Sequence, residues 1–571
     1  MPRPRGSIPD HALAARAHAA STRALASVPA SLVPLITAGY RPPARRADIS
    51  PVQPAQTSHP APTPADAGSA SRAVLGAALP LALSFIALLG YLPHLLSPLR
   101  LNFDAVLLLR MADAFRAGRG WNPPDVGSQH PIGYPALVVV LDALGVAGQT
   151  AFAMINMLSL ALGCLAAAVI MPTFCPALAR WRWWIAAATP WSWIAVKHAS
   201  LPLSDLPYFA ISMLALLAMH RAWDGHPRPG RPSASRNRAA WLIIALALTA
   251  AAILTRTIGI ALLPALALAA LGRAPVDSAR DAILARPARL LATLAVAALA
   301  VAAAFVLVSR TTYWTGFVKQ YQGDGILATL AATAHFRLLD LGQAVANIPA
   351  AAAPSLALPA LAVVGAIAYA AILLGLWRLR HTLSPTLIYF VAYSCIVLIW
   401  PFADPRFWLP VLPLALAIAI VGLAPGPARA PARLRQAAFV AGTAFVAIGA
   451  AALAVTARVS LSGPDFPSRY ASGAYRDTYL AAFGRPHDPA KVVPEVLRLL
   501  QRLERRCTAP EAPPPPAPPS PRADVGPLRP SYFALVGCLG AGPLLPTGNN
   551  APMRSVTSIV VAPAGTGAPA S

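Results

Sequence analysis

Residues 241–271 read WLIIALALTAAAILTRTIGIALLPALALAAL, an apolar run interrupted by Arg256 between two threonines. As one helix it would extend ~46 Å at 1.5 Å per residue, well beyond the ~30 Å hydrocarbon core of a bilayer. Arg236 and Arg238 precede the run and Arg273 follows it, so both ends carry the basic residues that mark cytoplasmic loops. A hairpin of two short spans, turning near TRTIG (255–259), satisfies length and charge together. A single tilted helix satisfies length alone.

Comparable apolar runs recur near 74–97, 149–171, 183–198, 204–222, 290–309, 352–377, 385–401, 407–424 and 436–457. With the hairpin they make about eleven spans, each able to cross the membrane as a helix. Only 12% of the 571 residues are charged and 57% are apolar, against roughly 25% charged in soluble proteins. The expected fold is an all-α polytopic integral membrane protein. The run at 74–97 is too long for a signal-peptide core and no clear cleavage site follows it, so it reads as a retained first span.

The chain carries 46 basic and 21 acidic residues, a net charge of +25. The arginines gather in short segments between apolar runs, as in HPRPGRPSASRNR (226–238) and PARAPARLR (427–435). That distribution follows the positive-inside rule, and no long basic face with interleaved aromatics points to nucleic acid. Beginning inside, the basic segments 221–239, 272–289, 378–381 and 425–435 all fall on the cytoplasmic side. The stretches 98–131, 199–204, 310–351 and 402–406, and the tail 458–571, all fall outside. Three regions result: a disordered cytoplasmic segment (1–72), a membrane domain (73–457) and an extracytoplasmic, proline-rich tail (458–571).

Within the tail, DPAKVVPEVLRLLQRLERR (488–506) has the apolar spacing of an amphipathic helix, with Val492, Val493, Val496, Leu497, Leu499, Leu500 and Leu503 mostly on one side. The link APEAPPPPAPPSPRA (509–523) leads to strand-like SYFALVGCLG (531–540), giving the tail a small α/β character. Cys164, Cys175 and Cys395 lie in or beside spans as small apolar packing residues. Cys507 and Cys538 both lie in the outside tail, where an oxidising compartment favours a disulfide between them.

Polar groups at membrane depth or at a span's outer end are costly, which marks them as functional candidates. On this topology the outer set is Asp104, Asp113, His130, Tyr134, Lys197, His198, Asp205, Arg256, Asp404 and Arg406. Carboxylate and several cations at one face suit a substrate with a phosphate leaving group. Each has a plainer alternative. Asp104 could cap the helix that follows it, Asp205 could cap a span, and Asp404 could neutralise Arg406. Asp113 is expected to pair with Arg110 or Arg116 on its own helix, and His130 to be structural. Arg256 has the weakest alternative, because an unpaired guanidinium within an apolar run is expensive.

LNFDAVLLLRMADAFRAGRGW (101–121) followed by HPIGYP (130–135) resembles the first outside loop of GT-C glycosyltransferases, in particular the protein mannosyltransferase and lipid A aminoarabinose transferase group. LPLSDLPYFAISMLALLA (201–218), LTRTIGIALLP (254–264) and DPRFWLPVLPLALAI (404–418) are similar to later motifs of that group and occur in the same order. The resemblance spans roughly 75–425. It implies transfer of a sugar from a polyprenyl-phosphate donor to a lipid, glycan or protein acceptor at the outer face of the inner membrane, without a cofactor. Asp104 would be the general base, with inversion at the anomeric carbon. Arg256 and Arg406 would hold the donor phosphate, with Asp205, His130, Tyr134 and Lys197 as further substrate contacts. Many members carry paired acids in this loop. Here Phe103 and Ala105 flank Asp104, and a single carboxylate is a poor site for a hard cation, so no metal is expected.

A secondary transporter of a small anion would also explain the spans and the broken run. It predicts two halves related by a repeat, which the sequence does not display, and leaves the polar first loop without a purpose. Topology is testable with reporters active on one side of the membrane, fused after residues 232, 330, 430 and 475. Fusions at 232 and 430 should report cytoplasm, and those at 330 and 475 the outside. Cytoplasmic activity at 475 contradicts this arrangement.

Overall fold

The computed structural model describes residues 64–121, 130–224, 233–271, 318–319, 321–322, 325–354, 357–400, 402–423, 432–470 and 475–504. The segment before 64, the expected span at 290–309, the proline-rich link, the strand at 531–540 and the Cys507–Cys538 pair lie outside the described residues.

The first part of the chain forms α1 (Pro64–Gly90), α2 (Phe103–Arg116), α3 (Gly133–Ala143), α4 (Gln149–Phe174), α5 (Arg182–Ala188), α6 (Trp193–Ala199), α7 (Asp205–Asp224), α8 (Ser233–Thr255) and α9 (Leu262–Leu271). Then follow α10 (Ile326–Ala346), α11 (Leu358–Leu379), α12 (Pro385–Ile399), α13 (Leu412–Leu423) and α14 (Ala432–Ser460), and the short α15 (Phe466–Tyr470), α16 (Arg476–Ala482) and α17 (Pro494–Leu503). Among the described residues there is no strand. Six stretches there are long and apolar enough to cross a membrane: Ala77–Leu96, Gln149–Phe174, Asn237–Thr255, Leu358–Leu379, Pro405–Leu423 and Gln436–Ser460. Gly133–Ala143, Thr257–Leu271 and Pro385–Ile399 are shorter apolar helices. The described residues form the all-α fold of a multi-pass membrane protein.

The run at 241–271 folds as a hairpin. Helix α8 stops at Thr255, Arg256 is extended (φ −148°, ψ 135°), and a 3₁₀ turn over Thr257–Ala261 leads into α9. The Arg238 guanidinium, near the start of α8, donates to the Ala270 carbonyl at 2.6 Å, near the end of α9. The two limbs therefore run back along each other. At the bend a β-carbon on Gly259 would lie 2.7 Å from the Ala252 backbone, so only glycine permits this approach.

The run at 183–198 departs from the expected single span. It is broken into α5, a 3₁₀ turn over Thr189–Trp191 and α6, with Ser192 extended between them. Pro190 supplies no backbone donor there, and the backbone groups freed by the break find a partner in Asn347. Its side chain accepts from Trp193 N (2.7 Å) and donates to the carbonyls of Trp191 (2.9 Å) and Phe445 (2.8 Å). Irregular backbone among apolar helices persists only when its polar groups are satisfied in this way.

Close helix crossings order the bundle. Gly342 of α10 packs on Leu361 of α11, and Gly365 of α11 packs back on Leu338 of α10. Gly375 of α11 and Gly422 of α13 interlock in the same manner through Ile418 and Ala371. Small residues let helix backbones approach where a side chain would hold them apart.

A second apolar core lies at one end of the bundle. Leu99, Leu101, residues of α2 and α3, Leu201 and Leu203 pack there with Phe466, Tyr479, Leu499 and Leu500 of the C-terminal segment. Stretches expected on the same face, 98–131, 199–204 and the tail, thus meet one another. Of the amphipathic tail stretch, Val496, Leu499, Leu500 and Leu503 are buried on α17, as the spacing predicts. The helix begins only at Pro494, after an Asp488-capped 3₁₀ turn, so Val492 and Val493 precede it.

Gly375→Ala places its β-carbon into the α13 backbone and should destabilise the protein by about 1–3 kcal/mol. Gly442→Ala on α14, where nothing lies within 4 Å, should be neutral or mildly stabilising. Thermal unfolding of the two purified variants checks the contrast.

Candidate active site

The site begins with a helix cap. Asn102 caps α2, its side-chain oxygen accepting from Ala105 N at 2.9 Å. The capping role considered for Asp104 is thus filled two residues earlier. Asp104, in the first turn, instead forms an ion pair with Arg406. Burial would raise the Asp104 carboxyl, but Arg406, with help from His130 and Arg256, outweighs it and holds the carboxyl at about 2. His130 lies in the same field. Burial pushes its imidazole down to about 4, Asp104 opposing and Arg406 and Arg256 adding to the shift, so the ring is neutral at pH 7.

Arg406 is fixed from its other side. Asp404 caps the 3₁₀ turn Pro405–Val411, accepting from Arg406 N at 2.9 Å, and its second oxygen meets Arg406 Nε at 2.8 Å. The neutralising role of Asp404 is therefore real. It leaves the terminal nitrogen of Arg406 directed at Asp104.

Arg256, at the apex of the hairpin, pairs with Asp205, the first residue of α7. The two candidates that came from separate motifs form one ion pair, with Asp205 97% buried at its side chain and Arg256 85% by the same measure. The HPIGYP turn reaches the same apex. A β-carbon at Gly133 would lie 2.6 Å from the Leu254 carbonyl oxygen, two residues before Arg256.

A third pair was not anticipated. Arg337 on α10 bonds Asp340 at 2.7 Å and donates to the carbonyls of Trp400 (2.7 Å) and Phe402. Asp340 also accepts from Asp404 N at 3.2 Å, which ties α10 to the cap that holds Arg406. The only sequence signal was an Arg and an Asp three residues apart in HFRLLDLG (335–342). The three arginines share the Phe407 ring as a neighbour, their guanidinium carbons lying 5.9 Å (Arg256), 5.7 Å (Arg337) and 5.8 Å (Arg406) from its centroid. Tyr393 donates to the Phe407 carbonyl at 2.6 Å. An aromatic face tolerates cations around it.

The remaining candidates are placed differently. Tyr134 is buried in the end core with Val138 and Phe152 and meets none of the three ion pairs through a hydrogen bond described here. Lys197, half-buried on α6, lies 6.0 Å from the Trp193 ring, and α6 packs on the Pro405–Val411 turn. His198 is buried beside it with Nδ1 2.7 Å from the Ile194 carbonyl oxygen. Asp113 does not pair along its own helix as expected. It meets Arg502 of α17 at 2.5 Å, because the tail helix packs across this face, while Arg116 turns to Asp142. Among the described residues no three His, Cys, Asp or Glu side chains gather as a metal site requires.

No protein-family model matches the chain, and no curated protein matches it. Solved structures of one protein resemble it. ArnT from Cupriavidus metallidurans, bound to undecaprenyl phosphate, shares 20% identity over 76% of this chain and 73% of its own, with a TM-score of 0.36. The apo state of that protein shares 18% over the same proportions, with a TM-score of 0.34.

The depressed Asp104 carboxyl sets a stability expectation. A carboxylate held below its free value of ~3.9 stabilises the fold above that pH, and the contribution is lost as pH falls through about 2. Between pH 5 and 8 it is constant. Arg406→Gln should cost about 2 kcal/mol in that range by stranding a partly buried carboxylate, and Asp104→Asn in the same chain should recover much of it. Denaturant unfolding of the two singles and the double variant measures the coupling; additive losses contradict the pairing.

Proposed function

We propose that this protein is a membrane glycosyltransferase that moves a sugar from a polyprenyl-phosphate donor to an envelope lipid, glycan or protein, with inversion, at the outer face of the inner membrane. The observation that carries this reading is the carboxylate of Asp104 against Arg406, itself anchored by Asp404, with Arg256 close by, at the end of an apolar helical bundle.

A carboxylate in contact with a guanidinium is a weak base, so Asp104 at rest is masked. Arg406 has two sides, and Asp404 holds one of them. A donor phosphate that takes the terminal nitrogen of Arg406 leaves the arginine anchored through Asp404 and releases Asp104 beside the bound sugar. Arg256 supplies the second cation for the phosphate, exchanging Asp205 for it. The acceptor hydroxyl then attacks the anomeric carbon as its proton passes to Asp104. The bond from that carbon to the phosphate oxygen breaks, and polyprenyl phosphate leaves with its charge on the two arginines. Stabilising charge where it develops is the larger part of such catalysis. The pre-existing aspartate partners keep the arginines in place before the donor arrives. His130, neutral at pH 7, would contact the sugar or acceptor without adding charge.

Asp104→Asn keeps size and hydrogen bonding and removes basicity. Transfer should fall by ~10² to 10⁴, while binding of undecaprenyl phosphate, measured by native mass spectrometry, persists. Arg406→Ala and Arg256→Ala should weaken both. Mass spectrometry of envelope lipids and glycans from cells with and without the protein identifies the product that transfer is scored on. Near-full transfer by Asp104→Asn at equal protein level removes Asp104 as the base.

A further inference from the structure

The segment Leu99–Leu101, which delivers the chain into the Asp104 helix, has no regular secondary structure and no neighbouring strand among the described residues. Buried backbone N–H and C=O groups need partners, and here the C-terminal segment provides them. The Tyr479 hydroxyl accepts from Leu101 N and donates to the Leu99 carbonyl, both at 2.8 Å. Glu504 accepts from Leu99 N at 2.7 Å, and the Tyr470 hydroxyl donates to the Leu101 carbonyl at 3.1 Å. Side chains of α15, α16 and the end of α17 therefore satisfy the N–H and C=O of both leucines, as an adjacent strand would.

The residue between them is held as firmly. The Arg100 guanidinium bonds Ser97 (3.1 Å), Ser460 (2.7 Å) and the Thr456 carbonyl (3.1 Å), and lies 5.3 Å from the Tyr470 ring centroid and 5.7 Å from that of Phe466. At the other end of α2, Arg502 of α17 pairs with Asp113 at 2.5 Å. The tail thus grips the Asp104 helix at its start and near its end.

We propose that Tyr479 and Glu504 are positioning residues for Asp104, so that the C-terminal segment is a working part of the catalytic unit rather than an appendage. This inference rests on the reading of Asp104 as the base. Geometry gives the clamp its leverage. Leu101 precedes the Asn102 cap by one residue and Asp104 by three, so a twist of this backbone turns the first helical turn and swings the carboxylate. Displacing a reacting group by ~1 Å costs on the order of 100-fold in rate. The donor phosphate would be held by Arg256 and Arg406, on other elements, so loosening the clamp should affect turnover and spare donor binding. A tail that served only stability would lower folded protein and leave activity per folded molecule unchanged.

The test uses the full-length protein with Tyr479→Phe, Glu504→Ala and Glu504→Gln, beside Asp104→Asn. Arg485→Gln serves as a tail control, since Arg485 contacts Pro464 and Asp465 and not the clamp. Transfer is scored in cells as the glycan product that requires this protein, per folded molecule, and undecaprenyl phosphate binding is measured on purified protein. Tyr479→Phe and Glu504→Ala should each lower transfer about 10-fold or more, with binding within about two-fold of the parent. Glu504→Gln, which can still accept from Leu99 N, should restore most of the transfer, and Arg485→Gln should behave as the parent. If Tyr479→Phe does not fold, the Glu504→Ala and Glu504→Gln pair decides. Normal transfer per folded molecule in both Tyr479→Phe and Glu504→Ala, while Asp104→Asn is inactive, overturns the inference. Retained transfer in Asp104→Asn instead overturns the reading beneath it.

Discussion

The ion pair between Asp104 and Arg406 joins the two halves of this molecule. It links the first turn of α2, in the first loop, to the 3₁₀ turn that precedes α13, some three hundred residues later in the chain. Two charges removed from water are costly to bring together, and they persist only where each has further partners. Arg406 has Asp404, Asp404 has Asp340, and Asp340 has Arg337. The Asp404–Asp340 step runs through the Asp404 backbone N–H, so each carboxylate keeps its own arginine, and the Phe407 ring lies beside both of these arginines and Arg256. The bundle beneath supplies the rigid frame, since the glycine crossings of α10, α11 and α13 fix the helices that carry Arg337 and lead out of the Arg406 turn.

Such a network has a direct functional consequence. Arginines neutralised by aspartates can be kept at a membrane edge without a bound anion, yet remain available to a phosphate that outcompetes one partner. In the proposed reaction the arrangement would couple binding to chemistry, because the partner given up by Arg406 is the carboxylate proposed as the base. The C-terminal segment holds the backbone that precedes the same group, which is the basis of the positioning role proposed for it.

Much of this was legible in the sequence where physics is local. Run length and arginine placement gave the hairpin at 241–271, because hydrocarbon thickness and the charge rule act on contiguous residues. The cost of an isolated guanidinium marked Arg256, and the same reasoning selected Asp205, whose pairing with it only the fold reveals. The apolar stripe of α17 was readable from its spacing, although Pro494 shortened the helix. Partner choice was not readable. Asp113 turns to Arg502 across some four hundred residues of chain, and Arg337 and Asp340 look like an ordinary helical pair until Trp400 and Phe402 close over them. The break at Pro190 was hidden because Asn347, distant in sequence, satisfies it. Tyr479 and Glu504 gave no signal at all, since a hydroxyl and a carboxylate that replace a missing strand leave no pattern in their own neighbourhood.

On the proposed mechanism, donor phosphate displaces Asp104 from Arg406 and so unmasks the base. A structure of the protein with undecaprenyl phosphate bound tests it most directly. Phosphate oxygens should then lie ~3 Å from both Arg406 and Arg256, with Arg406 still held by Asp404 and the Asp104 carboxylate released from the guanidinium. A phosphate bound away from these arginines, with the Asp104–Arg406 pair intact, would contradict it.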